Sequence, residues 1–200
     1  AITPQDIDLI DSYIFQNRSN TAVRELEQLR VSALIQAQDF DLALDTLTAL
    51  RDIERPDQKA LFDEFFAELG RSASDVVMLE KLMVLPSKDA FSFDPATGEV
   101  IARRLLALGL PEMSQDVVSR VITAQPSDGL RLVAAQAALQ LNQPFQAQAA
   151  LTGIENVEAT QIRAAAKEMT GNHADAYTLY QEAQTPDRAA EAAWLANDWA

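Results

Sequence analysis

GNHADAYTLYQEA, residues 171–183, places a glycine and a polar turn ahead of a stretch in which Ala176 and Ala183 bracket Tyr177 and Tyr180. Glycine adopts the left-handed backbone that ends many helices at little cost, so Gly171 is expected to cap a helix that precedes it. ATQIRAAAKEMT (159–170), immediately upstream, has a helical composition. Two helices joined by so short a turn approach closely only where one of them offers small side chains. Ala176 and Ala183 are therefore expected at the close approach, with Tyr180 as a plug between the helices. The stretch predicts one helical hairpin.

Similar units recur along the 200 residues. Apolar residues return at three- and four-residue steps, interrupted by prolines and short polar turns. A helix at about 4–16, behind a Thr3 N-cap with Asp6 three residues on, sets Ile7, Ile10, Ile14 and Phe15 near one face. The next helix runs through Leu26, Leu29, Ala33 and Ala37, turns at residues 38–40, and pairs with one carrying Ala43, Leu44, Leu47 and Leu50; Pro56 lies beyond its end. LFDEFFAELG (61–70) pairs with SDVVMLEKLMVL (74–85) before Pro86, and GEVIARRLLALG (98–109) with EMSQDVVSRVITAQ (112–125) before Pro126. LRLVAAQAALQL (130–141) pairs with FQAQAALTGI (145–154), and 159–170 with HADAYTLYQEA before Pro186. DRAAEAAWLANDW (187–199) predicts one further first helix.

Aligning the turns makes Phe40, Ser72, Pro111, Pro144 and His173 equivalent, at spacings of 32, 39, 33 and 29 residues. Three residues on come Ala43, Asp75, Ser114, Ala147 and Ala176, mostly small. Four further on come the larger Leu47, Leu79, Val118, Leu151 and Tyr180. With these units, best seen in GNHADAYTLYQEA, QDFDLALDTLTAL (38–50) and ARRLLALGLPEMSQDVVSRVITAQP (102–126), the chain resembles the tetratricopeptide repeat family of helix-turn-helix hairpins about 34 residues long. The likeness is to a divergent member, because the units lack the family's early Trp. It implies an all-α fold, a right-handed α-α superhelix (solenoid) of about five stacked helical hairpins plus a partial sixth, forming one domain over residues 1–200 of a longer chain.

Charge and composition narrow the function. The formal net charge is −14, with nine basic against nineteen acidic residues in 1–100 and seven against eleven in 101–200. Sequence-independent nucleic-acid affinity needs clustered Lys and Arg, and so does adhesion to anionic lipid, so both are disfavoured. The acidic surface serves solubility or steers a basic partner. No apolar run reaches the roughly 20 residues of a membrane span. The chain has no cysteine and begins with Ala, as a fragment or a processed mature form would. Cytoplasmic and periplasmic locations both remain open, and so does the oligomeric state; the Ala- and Gln-rich, Lys-poor usage fits a bacterial protein.

Candidate chemistry is thin. His173 is the single histidine, and its place at a turn favours packing over a catalytic triad. Asp39, Asp41 and Asp45 in DFDLALD lack the glycine and closing glutamate of a calcium loop, and helix-start acids are explained by the macrodipole. Glu64 with Glu68, and Glu155 with Glu158, are carboxylate pairs at helical spacing of the kind every solvated face produces. No GxSxG, SxxK, GxGxxG or GxxxxGK[ST] occurs. Neither an enzyme, a cofactor nor a metal is expected. Trp194 and Trp199 offer an aromatic patch or a face to be buried by a further helix, and Phe91 and Phe93 in the 85–99 connector are expected to pack.

Stacked hairpins leave their first helices lining an extended concave surface suited to a peptide or a helix. The resemblance then implies a groove lined by Gln28, Ser32, Ile35, Glu64, Ala67, Glu68, Glu99, Arg103, Leu106, Leu132, Gln136 and Leu139. Few basic residues and no Asn stand there, which argues against the family's carboxylate clamp for chaperone tails. The expected function is a protein-protein interaction scaffold. Its alternative is an accessory arm of a larger, cell-envelope enzyme whose catalytic domain lies outside this segment.

Overall fold

The computed structural model describes residues 4–17, 23–50, 56–84, 92–121 and 126–196, and over these the chain is all-helical. The helices are α1 (Pro4–Gln16), α2 (Val23–Gln36), α3 (Phe40–Leu50), α4 (Pro56–Ser72), α5 (Asp75–Met83), α6 (Pro95–Ala107), α7 (Pro111–Ser119), α8 (Asp128–Gln140), α9 (Pro144–Ala150), α10 (Val157–Met169), α11 (His173–Glu182) and α12 (Pro186–Leu195). They fall into two compact units, Ala1–Phe93 and Asp94–Ala200.

One turn recurs. After α2, α6, α8, α10 and α11 the residue at positive φ is Gln38 (61°), Gly109 (73°), Asn142 (59°), Gly171 (76°) and Gln184 (56°). In each case the next residue's N–H reaches back five positions: Asp39 to Leu34 (3.0 Å), Leu110 to Leu105 (2.9 Å), Gln143 to Ala138 (2.8 Å), Asn172 to Lys167 (2.9 Å) and Thr185 to Tyr180 (3.0 Å). The positive-φ residue itself donates to the carbonyl three back, from Gln38 to Ile35 and so on through Gln184 to Gln181. These paired bonds are the Schellman closure, which satisfies carbonyls that the helix end would leave bare. The residue after the left-handed one then opens the next helix. Asn172 caps α11 by accepting from Asp175 N–H (3.3 Å), and Asp39 accepts from Leu42 N–H (3.2 Å) at the start of α3.

Across these turns the expected small residues are fully buried: Ala43, Ser114, Ala147 and Ala176. Ser114 completes the contact chemically, its hydroxyl donating to the Ala102 carbonyl of α6 at 3.0 Å. Leu47, Leu151 and Tyr180 fill the space four residues on. The α4–α5 turn differs, because Ser74 rather than a left-handed residue caps α5. This corrects the register there. α5 starts at Asp75, so the equivalent of the small residue is Met78, fully buried, while Ser72 and Asp75 are exposed and Leu82 replaces Leu79 as the plug. Second helices then begin at residues 40, 75, 111, 144 and 173, steps of 35, 36, 33 and 29.

In the first unit α2 packs on α1, α3 and α4, and α3 packs on α4. Arg30 of α2 donates to Asp11 of α1 and to Thr46 Oγ1 of α3 (2.7 Å), and Lys81 of α5 pairs with Asp41 of α3. The core is a string of edge-to-face rings: Phe40 on Phe65 (5.9 Å), Phe65 on Phe66 (5.0 Å) and Phe66 on Phe93 (5.2 Å). Quadrupolar complementarity adds about 0.5–1.5 kcal/mol per pair to their burial. Phe93 packs as expected; Phe91 lies outside the described residues, with Thr3, Pro86 and Trp199. Phe15 and Leu29, expected on buried faces, are exposed at 65% and 52%.

In the second unit each helix from α6 to α11 contacts the next, and α8 also touches both α6 and α10. The seams are built on alanine: Ala135, Ala138, Ala147 and Ala159 with Leu132, Leu151, Ile154 and Ile162, then Ala164, Ala176, Ala189 and Ala192 around Tyr180. Asp94 accepts from Thr97 N–H (2.9 Å) with Pro95 at the first helical position, so α6 starts three residues before the expected Gly98. α7 ends at Ser119 and α9 at Ala150, both short of their expected ends. Carbonyls at the end of α9 are held by arginines from both flanking helices, Arg131 on Ala150 (3.0 Å) and Thr152, and Arg163 on Leu151 (2.9 Å) and Ile154. Such cations also oppose the negative end of the helix dipole.

Tyr180 ties three helices together. Its hydroxyl donates to Glu168 Oε2 of α10 (2.8 Å), and Arg188 of α12 reaches the same carboxylate (2.9 Å) while lying 5.4 Å from the Tyr180 ring centre. Burial raises the Tyr180 pKa above its ordinary 10.0, the Arg188 hydrogen bond opposes that, and the Glu168 carboxylate adds to it. The neutral phenol's contribution is therefore complete below the unfolded value of about 10 and is lost as pH rises through the folded one. Between pH 9 and 11, urea midpoints are expected to fall more steeply for the wild type than for Tyr180→Phe. At the turns, Gly109→Ala is expected to cost about 1 kcal/mol and Gln184→Gly to add up to about 1 kcal/mol, both read from urea denaturation.

Candidate functional site

The faces expected to form a groove belong to α2 and α4 in one unit and to α6 and α8 in the other. In the second unit they converge on a polar network. Glu99 and Arg103 stand one turn apart on α6, and the Arg103 Nε donates to Glu99 Oε1 at 3.2 Å. The Arg103 Nη1 donates to Glu158 Oε1 of α10, also at 3.2 Å, and Gln136 of α8 donates to that same oxygen at 2.9 Å. The network thus bridges three helices, α6, α8 and α10. It is half-open, with the Arg103 and Glu158 side chains each 39% exposed.

The far oxygen of Glu99 accepts from Ser127 Oγ (3.2 Å), the N-cap of α8. A carboxylate is favoured at a helix N-terminus by the macrodipole. Gly129 leaves room for the Glu99 carboxylate in this position, since a Cβ there would oblige the acid's side chain to swing aside. Sequence, N-cap and network are linked here: a glycine two residues into α8 leaves room for an acid from α6.

Of the expected groove residues, Glu99, Arg103 and Gln136 come together. Ser32 and Glu64 also meet, the Ser32 hydroxyl donating to Glu64 at 2.9 Å between α2 and α4, while Glu68 accepts from Arg71 at 2.6 Å. Gln28 and Ala67 are partly exposed. Three residues require correction. Ile35, Leu106 and Leu132 are buried, with 1%, 7% and 4% of their surface exposed, so they are core and not groove. Ile35 and Leu106 sit one residue before the last of their helices, immediately ahead of the Schellman turn, and Leu132 belongs to the α8–α10 seam. Leu139 is half-buried and packs against that same seam.

Glu158 was visible in the sequence only as half of an acidic pair with Glu155. Its partner Arg103 lies 55 residues away. The expected special residues resolve into local roles: Asp39 caps α3, Asp41 pairs with Lys81, and His173 opens α11. No group of three or more metal-ligating side chains occurs among the described residues, and no described helix is long and apolar enough to cross a membrane. Comparisons with family models, with curated proteins and with solved structures gave no match.

Arranged this way, one cation between two carboxylates, with an amide and a hydroxyl beside it, offers hydrogen bonds and a net negative charge. Half-exposed pairs of this kind contribute roughly 0.2–1 kcal/mol each. A double-mutant cycle with Arg103→Met and Glu158→Gln is expected to give a coupling below about 1 kcal/mol that shrinks in 1 M NaCl. Coupling unaffected by salt would mean that the pair is shielded from solvent, contrary to its exposure.

Proposed function

We propose that the chain is a protein-protein interaction scaffold: a right-handed, tetratricopeptide-like solenoid that binds a peptide or helix along the exposed face of its first helices. The observation that carries this reading is the repeated hairpin. Five helices end in the same Schellman turn, and α3, α7, α9 and α11 each pack against the helix before and the helix after them. Arrays of this kind leave one face of the first helices free of the core. In the second unit that face carries the Glu99–Arg103–Gln136–Glu158 network, polar and half-open where α8 and α10 otherwise present buried alanines and leucines.

The partner is basic. A net charge of −14 favours encounter with cationic segments, and the network's own excess of one carboxylate matches a Lys or Arg side chain. Full-length protein captured from its native cell, with the partner segment then made as a synthetic peptide, gives the direct test. Glu99→Lys with Glu158→Lys is expected to weaken that peptide at least tenfold while circular dichroism keeps its helical signal. Undiminished binding by this charge-reversed variant would place the partner elsewhere.

A further inference from the structure

On the second unit, a cleft of about 510 Å³ opens between α9, α10 and α11, lined by Gln148, Thr152, Arg163, Lys167, Asp175, Thr178 and Leu179. This volume lies within the usual range of small-molecule sites. Arg163 and Lys167 stand one turn apart on α10, so both cations face the same opening. In a chain of net charge −14, two cations facing one cleft are a local reversal of sign.

Their hydrogen-bonding capacity is only partly used. Arg163 spends Nη2 on the Leu151 and Ile154 carbonyls, which fixes the guanidinium in place. A guanidinium carries five donors, and those of Nε and Nη1 have no protein partner among the described residues. Lys167 gives one of its three hydrogens to Asp175 Oδ2 at 3.0 Å. The Lys167 hydrogen bond and charge hold the Asp175 carboxyl below the usual carboxylate range. Gln148 contributes an amide, Thr152 and Thr178 stand at the rim, and Leu179 supplies an apolar wall where it packs beside the α10–α12 seam.

We infer that this cleft binds a small monocarboxylate with an apolar body, its anion held by Arg163 and Lys167 and its hydrocarbon laid on Leu179. Charge selects the class. Two cations and the Asp175 carboxylate leave the lining at +1, which neutralises a monoanion and leaves a phosphate dianion in excess. The site is built on the second helices α9 and α11 and on α10, and does not depend on the peptide reading of the Glu99–Glu158 face.

The test is a titration of ¹⁵N-labelled protein at low salt with 4-methylpentanoate, with its uncharged amide, and with inorganic phosphate. Saturable shifts at Gln148, Thr152, Lys167, Asp175, Thr178 and Leu179 are expected for the carboxylate, at least tenfold weaker for the amide and for phosphate. Gln148→Glu, which adds a negative charge without removing a helix contact, is expected to weaken the carboxylate at least tenfold. Lys167→Gln is expected to do the same, and both variants should keep the wild-type spectrum elsewhere. Equal response to carboxylate and amide, stronger binding of phosphate, shifts scattered outside the cleft, or affinity unchanged in both variants would each overturn the assignment.

Discussion

A single backbone conformation governs how these helices are arranged: the residue after the C-cap, held at φ near +60 to +75°, which turns the chain back on itself. With two hydrogen bonds closing the helix behind it and the following residue opening the next, the turn fixes the direction of departure before any side chain is considered. The second helix then leaves antiparallel, and its fourth residue points straight at the helix it has just left. That geometry demands Ala or Ser at positions 43, 114, 147 and 176, and these are the residues with no exposed surface.

Where the turn is different, the rest follows. Between α4 and α5 no residue is left-handed and Ser74 caps the second helix through its side chain. Met78 then occupies the facing position, and the first unit relies on large aromatic contacts, Phe40 through Phe93, where the second unit relies on alanine seams. Two routes to a dry interface thus coexist in one chain: thin helices that approach closely, and thicker ones locked by interleaved rings.

Much of this was legible because it is local. Gly171 announced its left-handed turn, and the alanines their contacts. Gln38 and Gln184 adopt the same left-handed backbone without the residue type that signals it, so those turns had to be found from the spacing around them. The Ser72 misregistration arose because a nine-residue α5 offers little periodicity to lock its phase. Groove residues were harder. Whether a leucine faces its own hairpin or open solvent depends on helices beyond the next one in sequence, α4 for α2 and α8 for α6. Ile35, Leu106 and Leu132 were thus indistinguishable from surface positions, and Glu158 acquired its meaning only through Arg103.

α9 has seven residues, about two turns, far below the length at which a helix holds together in water by itself. Its last carbonyls are grasped by Arg131 from the helix before and Arg163 from the helix after. α9 gains these terminal partners only when both neighbours are present. The end of α9 is thereby tied to both flanking helices, and not to its own hairpin partner alone.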